Sequence, residues 1–331
     1  MDTTAFRTDL ELIPQSLGAL ADAIDAGLPG LDAVAALARE GVDRVLVVGM
    51  GSSRYAADVV ARRHRAEGAN VVVELASGEL LPRPAPGLVV VAVSATGGSV
   101  EVLRAVERYR GTGRLVAITN RPDSALGEHA DVVVPLVAGT EASGVACRTF
   151  RATFAVVDAV LHALRPAASA RFDAAVLRRA ATASAELLTA STDWLDPLTS
   201  LVAGPDGAWA LAPVERLSSA QQSALMLREV PRVGAFASET GDWSHVDVYL
   251  TKTQDYRALV FAGSAWDDQA LEWMAARGSR FAAVGHELPG AELVVRHRHD
   301  DDPDVAILAE VLVGELVANR LLSREEVMQG A

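Results

Sequence analysis

Apolar positions along the chain follow two periods that alternate. Across residues 9–40 they recur at helical spacing, Leu10, Leu12, Leu17, Leu20 and Ile24, then Leu31, Val34, Leu37 and Ala38 after a break at Pro29-Gly30, so leading helices are expected. Five strand-like runs follow, at 45–48, 71–74, 88–93, 115–119 and 132–136, rich in β-branched residues as strands buried on both faces are. Helical stretches at 53–67, from Gly98 or Ser99 onward, and near 123–128 separate them. Alternation of this kind, with Gly or Ser at the strand ends, predicts an α/β fold with a doubly wound parallel sheet flanked by helices.

After Ala- and Leu-rich helices at 150–164 and 174–188, the alternation resumes. Strands are expected at 209–212, 246–250, 258–261, 281–284 and 293–295, and helices at 218–229, 267–276 and 305–322, with 230–245 irregular. Residues 88–120 and 258–285 share one plan of strand, turn, helix, Gly turn and strand, so the two halves read as diverged copies of one architecture. The expected divisions are leading helices at 1–40, a first domain with linking helices at 41–190 and a second domain at 191–331.

Composition narrows the partners. The 331 residues suffice for two domains, and no apolar run approaches membrane-spanning length, so no membrane partner is expected. The start, Met1-Asp-Thr-Thr-Ala-Phe-Arg-Thr-Asp, lacks the basic and apolar parts of a signal peptide, and Cys147 is the only cysteine, so a cytoplasmic location is expected. A formal charge of −13 opposes nucleic-acid and anionic-membrane binding, and residues 1–40 are acidic and short for a helix-turn-helix domain. Lys252 is the only lysine and stands in a polar stretch, which leaves Schiff-base chemistry one poor candidate.

One turn stands out. The apolar run at 88–93 breaks into Ser94-Ala95-Thr96-Gly97-Gly98-Ser99 and re-emerges with helical spacing at Val100, Leu103, Ala105 and Val106. First-turn amides have no partner inside their helix, so this turn suits an anion; three hydroxyls and two glycines suit it further. By itself it also fits an ordinary Ser N-cap. Its counterpart in the second half carries Asp267-Asp268 at the helix start and would repel phosphate, so the anion site is expected in the first half only.

Other constellations are weaker. Gly49-Met-Gly51 with Glu74 resembles a dinucleotide fingerprint, but Arg54 stands where the third glycine belongs, and no cofactor is expected. The run His297-Arg-His299-Asp300-Asp301-Asp302 reads as a solvated helix start, and no metal is expected. Ser238, Asp242 and His245 lack a nucleophile elbow. Spacing alone makes Glu229 a solvated helix-end charge and His245 a loop histidine.

Taken together, these residues resemble the sugar isomerase (SIS) domain family, in particular the isomerase half of glucosamine-6-phosphate synthase and its deglycase relatives. Gly51-Ser52-Ser53 resembles the family's Gly-Thr-Ser turn, Glu74-Leu-Ala-Ser-Gly-Glu79 its Glu-Ile-Ala-Ser-Glu segment, and Ser94–Ser99 its Ser-Gln-Ser-Gly-Glu-Thr phosphate loop. Ala138-Gly-Thr-Glu141 and Gly144-Val145-Ala146 match a further pair of motifs, and Ala224-Leu-Met226-Leu-Arg-Glu229 with Gly241 and His245 keeps the spacing of Ala-Leu-Lys-Leu-Lys-Glu, Gly and His. The likeness covers roughly residues 35–320 as two tandem SIS domains.

The resemblance implies roles. Ser94, Thr96 and Ser99, with the amides of Ala95 and Gly97, would hold a sugar phosphate, and Ser52, Ser53 and the Val145 backbone would line the sugar. Glu229 would move a proton between C1 and C2, and His245 would open the ring, reaching across from the partner subunit of a homodimer with a shared active site. Two departures stand against the synthase itself: Met226 replaces a family lysine, and the reactive-lysine tail and glutaminase domain are not found. The expected activity is therefore isomerisation, or deglycation or deamination, of a sugar phosphate or amino-sugar phosphate. The alternative is a regulatory SIS protein that binds a sugar phosphate without chemistry.

Overall fold

A computed structural model describes residues 2–165 and 170–330. Met1, residues 166–169 and Ala331, which the expected divisions include, lie outside the described residues. The chain begins with helices α1 (Thr3–Glu11), α2 (Ile13–Ala26) and α3 (Leu31–Arg39). It continues with β1 (Arg44–Gly49), α4 (Gly51–Ala66), β2 (Val71–Leu75), β3 (Leu88–Val93), α5 (Val100–Val106), β4 (Leu115–Thr119), α6 (Ala125–His129), β5 (Val132–Pro135) and α7 (Arg148–Leu164). The remainder comprises α8 (Ala174–Val202), β6 (Ala208–Ala212), α9 (Leu217–Glu229), β7 (Ala235–Glu239), α10 (Thr240–Trp243), β8 (Arg257–Phe261), α11 (Asp267–Ala276), β9 (Arg280–Val284), β10 (Leu293–Val295), α12 (Pro303–Ala309) and α13 (Val311–Gly330).

Two compact units result. The first-sheet unit comprises Gln15–Glu141 and Ala146–Arg178, and the second-sheet unit Met1–Pro14, Ala142–Val145 and Arg179–Ala331. In the first, five parallel strands lie in the order β2-β1-β3-β4-β5. β3 is central and buried at every position, which is why its sequence is an unbroken apolar run. Leu46, Val48, Val90, Ala92 and Ala117 pack with Val102 and Val106 of α5 and Leu126 of α6. Strand alternation leaves Val45 and Val47 on the opposite face. A buried pair also ties α4 to α7: His64 Nε2 lies 2.8 Å from Asp158 Oδ1, while Asp158 Oδ2 accepts the backbone N–H groups of Arg171 and Phe172 at 2.7 and 3.1 Å.

The second-sheet unit carries five parallel strands in the order β10-β9-β8-β6-β7. Numbered within each unit and read from the same edge, both sheets have the order 2-1-3-4-5. One expected strand is corrected. Residues 246–250 alternate apolar and polar, yet Asp247–Lys252 forms a 3₁₀ turn in which Val248 is buried and Tyr249 exposed. The edge position beside β6 belongs instead to β7, inside the stretch expected to be irregular; its Phe236 stacks on Trp209 with ring centroids 5.5 Å apart. The expected helix at 305–322 is two, α12 and α13, and that at 174–188 runs on to Val202. The core here is aromatic: Trp209 and Tyr256 rings stack at 4.2 Å, and Trp243 Nε1 donates to the Tyr256 hydroxyl at 2.6 Å. Burial holds the Tyr256 hydroxyl well above its ordinary pKa. Among the described residues no helix is long and apolar enough to cross a membrane.

The start of α7 has a cap that helix-start chemistry does not announce. Cys147 occupies the N-cap position without a side-chain cap bond. The Glu141 carboxylate supplies it, accepting the N–H groups of Cys147, Arg148 and Thr149 at 2.7, 2.6 and 3.1 Å and the Thr149 hydroxyl at 2.7 Å. Three first-turn donors and the positive end of the helix dipole thus meet one anion. Glu141→Ala is expected to lower stability by about 3 kcal/mol, and Glu141→Gln by less, because the amide oxygen still accepts. Urea denaturation of the two variants beside the wild type measures both.

Candidate functional site

In a parallel sheet of this order, ligands sit beyond the carboxyl ends of the two strands between which the order reverses. In the first-sheet unit those strands are β1 and β3, paired from Arg44 beside Leu88 to Val48 beside Ala92. Their following turns carry Gly51-Ser52-Ser53 and Ser94–Ser99. The topology therefore brings to one crevice two hydroxyl-rich turns that lie about 40 residues apart in the chain. Ser52 is buried in the first turn of α4, which opens at Gly51 with φ +48°, and Ser53 is half-buried beside it. Arg54 follows, its Nε buried without a hydrogen-bond partner.

The second turn is held rigid by the backbone. Ser94 N–H extends the ladder to Ile118 O at 3.0 Å, and Ser94 O accepts the Gly97 N–H at 3.1 Å. Ala95 O accepts the Asn120 N–H at 3.0 Å, and Gly97 O that of Leu126 at 3.0 Å. Across a trans peptide the N–H points opposite to the preceding carbonyl, so the Ala95 and Thr96 N–H groups face away from these internal contacts. The amide of Gly97, by contrast, is engaged within the turn. Its own role is conformational: φ is +64°, and a Cβ there would fall on the Ser124 hydroxyl.

The hydroxyls of this turn are engaged in different ways. Ser99 stands at the N-cap of α5 but makes no side-chain cap bond. It donates instead to Glu101 Oε2 at 3.0 Å. Glu101's own N–H and the Ser99 hydroxyl hold that carboxyl below its ordinary range. An anion thus already rests on these donors, supplied by a fully exposed side chain. Ser94 is buried, while Thr96 is exposed and its Oγ1 accepts the Gly98 N–H at 3.4 Å.

The corresponding crevice of the second-sheet unit, between β6 and β8, is filled by its own side chains. Asp267 Oδ2 accepts the N–H groups of Gly263 and Ser264 at 2.7 and 3.0 Å. Arg216, from the turn after β6, binds the Glu310 carboxylate and donates to Ala262 O, and Ser219 donates to Glu310 Oε1 at 2.6 Å. Glu310 is 0% exposed and Asp267 8%. The repulsion expected from Asp267 is present in a stronger form, since its carboxylate takes the two amides themselves.

The remaining candidates lie in the second-sheet unit. Glu229 is exposed as the last residue of α9, and His245 is exposed in the turn after α10, its N–H donating to Asp242 O at 2.9 Å. Met226 is fully buried. Val145 is buried, with its N–H donating to the Ser143 hydroxyl at 3.2 Å; Ser143 in turn donates to Asp9 Oδ2 at 2.7 Å. Ser238 gives its hydroxyl proton to Asp247 and forms no relay with Asp242 and His245. In the run 297–302, Arg296 clasps Asp300, and Asp302 caps α12 through the Asp304 N–H at 3.0 Å.

A family model described as SIS domain matches residues 40–163, the stretch that holds the whole first sheet and its cup. Residues 40–163 are therefore similar to an SIS domain. Beyond that stretch, the chain resembles the glutamine–fructose-6-phosphate aminotransferase (isomerizing) of Sulfurisphaera tokodaii, 24% identical over 310 residues, which are 91% of this chain and 50% of the relative. The chain spans about half the length of that curated relative. Among solved structures, the C-terminal domain of glucosamine-fructose-6-phosphate aminotransferase from Francisella tularensis aligns with a TM-score of 0.77 at 16% identity, covering 96% of each chain. Tagatose-6-phosphate ketose/aldose isomerase from Escherichia coli aligns at 0.75 and 17%, covering 97% of this chain and 93% of that one. The fold is therefore that of phosphosugar isomerases.

The crevice beyond the SIS match carries a pH signature. Burial pushes the Asp267 carboxyl up, against the pull of the Gly263 and Ser264 amides and of Arg216. A carboxyl raised on folding favours the protonated folded state, so its contribution is full below the unfolded pKa and is lost as pH rises through the folded one. Asp267→Asn keeps an oxygen for the two amides and does not ionise. The melting temperature of the wild type minus that of Asp267→Asn is expected to fall as pH rises above about 4, measured by thermal denaturation at a series of pH values.

Proposed function

We propose that the chain is a sugar-phosphate or amino-sugar-phosphate isomerase or deglycase that works by proton transfer between C1 and C2. The observation that carries this reading is the cup at Ser94–Ser99. It ends the central strand of the SIS-like domain, its Ala95 and Thr96 amides face outward, and its Ser99 hydroxyl is not used as a helix cap. On this reading Ser94, Thr96, Ser99 and the Ala95 and Thr96 amides bind the phosphate, Gly97 shapes the turn, and Ser52, Ser53 and the Val145 backbone line the sugar. The two sheets of order 2-1-3-4-5 support a reading as tandem SIS domains, 41–190 and 191–331, after leading helices at 1–40.

The chemistry assigned to Glu229 is short. Its carboxylate takes the proton from C2 of the open-chain aldose as O1 gains one, which gives a C1=C2 enediol; the carboxylic acid, open to exchange with solvent, then delivers a proton to C1 as O2 gives up its own, which gives the ketose. A 2-amino sugar follows the same course through an enamine; the proton delivered to C1 leaves an imine at C2, and addition of water there releases the amine and leaves the ketose. His245 takes the proton of the anomeric hydroxyl and delivers it to the ring oxygen when the ring opens. We assign it to the site of the partner subunit in a homodimer. A second reading, a sugar-phosphate-binding regulator, is favoured by Met226, whose burial leaves an apolar side chain where the resemblance has a lysine.

Turnover separates the two. A panel of hexose phosphates, amino-sugar phosphates and phosphorylated Amadori compounds is expected to include a substrate whose C2 hydrogen exchanges with deuterium oxide, followed by proton NMR. Glu229→Gln is expected to lower that rate about 100-fold or more with KM little changed. Ser94→Ala with Thr96→Ala is expected to raise KM. Full activity of Glu229→Gln refutes the assigned base, and calorimetric binding without turnover selects the regulator.

A further inference from the structure

The peptide between Ala95 and Thr96 carries an outward N–H of the cup, and its orientation is set from the turn after β4. Ala95 O accepts the Asn120 N–H at 3.0 Å and the Thr119 hydroxyl at 3.4 Å. Thr119 is 0% exposed, and its hydroxyl oxygen also accepts the Arg121 N–H at 3.1 Å. Two donors on one carbonyl fix that peptide plane, and the Thr96 N–H on its far side is fixed with it. The cup is therefore only as rigid as the backbone of residues 119–121.

Asn120 is held in turn by its own side chain. The β4–β5 ladder ends where Thr119 O accepts the Leu136 N–H at 3.0 Å. Beyond that point the Asn120 carboxamide takes the place of the backbone: Oδ1 accepts the Ala138 N–H at 3.0 Å, and Nδ2 donates to Gly139 O at 2.6 Å. A donor and an acceptor engaged together leave the amide one orientation. Between the ladder and this bracket lies Val137, at φ +54°. Among the described residues three non-glycine residues have positive φ, and Val137 is the only β-branched one. A β-branched residue does not adopt that conformation by its own preference, so its neighbours impose it. Ser16 and Arg148 hold Ala138 O at 3.2 and 3.0 Å, and Asn120 holds the flanking N–H and C=O. The strain at Val137 thus bears on the Asn120 side chain, and the Asn120 backbone bears on the cup.

We infer that Asn120 is a positioning residue: its side chain, braced against a strained Val137, keeps the Ala95–Thr96 peptide turned outward. Its consequence for a phosphate rests on the proposed reading of the cup, so the first measurement needs no ligand. Amide hydrogen exchange of the full chain, read by NMR, is expected to show about tenfold less protection at Gly97 and at residue 120 in Asn120→Ala, with the amides of β1 and β3 unchanged. Asn120→Asp keeps the acceptor for the Ala138 N–H and loses the donor to Gly139 O, and is expected to give a smaller loss at the same two amides. Val137→Gly, which takes positive φ without strain, is expected to restore most of the protection in the Asn120→Ala background. A fold that is merely destabilised would lose more. Inorganic phosphate, titrated in the same spectra, is expected to shift the Ala95 and Thr96 amides and to bind about tenfold more weakly to Asn120→Ala. Unchanged protection, a loss spread over the whole sheet, no recovery with Val137→Gly, or equal phosphate affinity would each overturn the inference. A wild type whose amides phosphate leaves unshifted would refute the role assigned to the cup, and the exchange data would still decide that of Asn120.

Discussion

The order of five parallel strands is the constraint on which the rest depends. Because β1 and β3 are neighbours while the chain between them visits β2 at the edge, the turns leaving their carboxyl ends diverge and open a crevice. Backbone amides and hydroxyls exposed in that crevice cannot be satisfied by the sheet, whose ladder ends at Ser94. An anion is the natural occupant of such a place, and its source is then decided by a few side chains.

The two sheets answer that demand differently. In the first-sheet unit the carboxylate is Glu101, fully exposed and held by the Ser99 hydroxyl and its own N–H. In the second it is Asp267, buried and bonded to Gly263 and Ser264, beside an Arg216–Glu310 pair with no exposure on the acid side. Displacing Asp267 would break both of its bonds to the Gly263 and Ser264 amides, at about 1.5–3 kcal/mol each for bonds to a charged group. One architecture thus carries a turn with an exposed carboxylate in one unit and a self-filled crevice in the other, and the difference is a matter of which carboxylate lies close enough to fold back.

How far the sequence foretold this depends on how local each signal is. β3 and β4 matched their expected bounds because central strands are apolar on both faces and end sharply at polar turns. At 246–250 the alternation has another cause, since a 3₁₀ turn that buries Val248 and packs Leu250 against the same core shows the pattern of a half-buried strand. β7 escaped notice because an edge strand of five residues, Ala235-Phe-Ala-Ser-Glu239, carries little apolar signal of its own. The turn at 94–99 is legible in the sequence, but the destination of the Ser99 proton is not, because Glu101 meets it only once α5 is wound. Glu141 carries no helix-start signal of its own; its bonds to residues 147–149 cross a loop that no spacing rule spans.

The kind of donor in the cup also follows from the charge of the whole chain. At a formal −13, long-range attraction cannot gather an anionic ligand, and side-chain cations near the surface would be drawn into pairs with the abundant carboxylates, as Arg104 is with Glu79 at 3.0 Å. Backbone N–H groups and hydroxyls are not neutralised in this way. They keep their orientation because Ala95 O and Gly97 O are tied to Asn120 and Leu126, and they act only within hydrogen-bond reach. An acidic protein that holds an anion is therefore better served by a rigid turn than by a cluster of lysines, and the turn at Ser94–Ser99 is built in that manner.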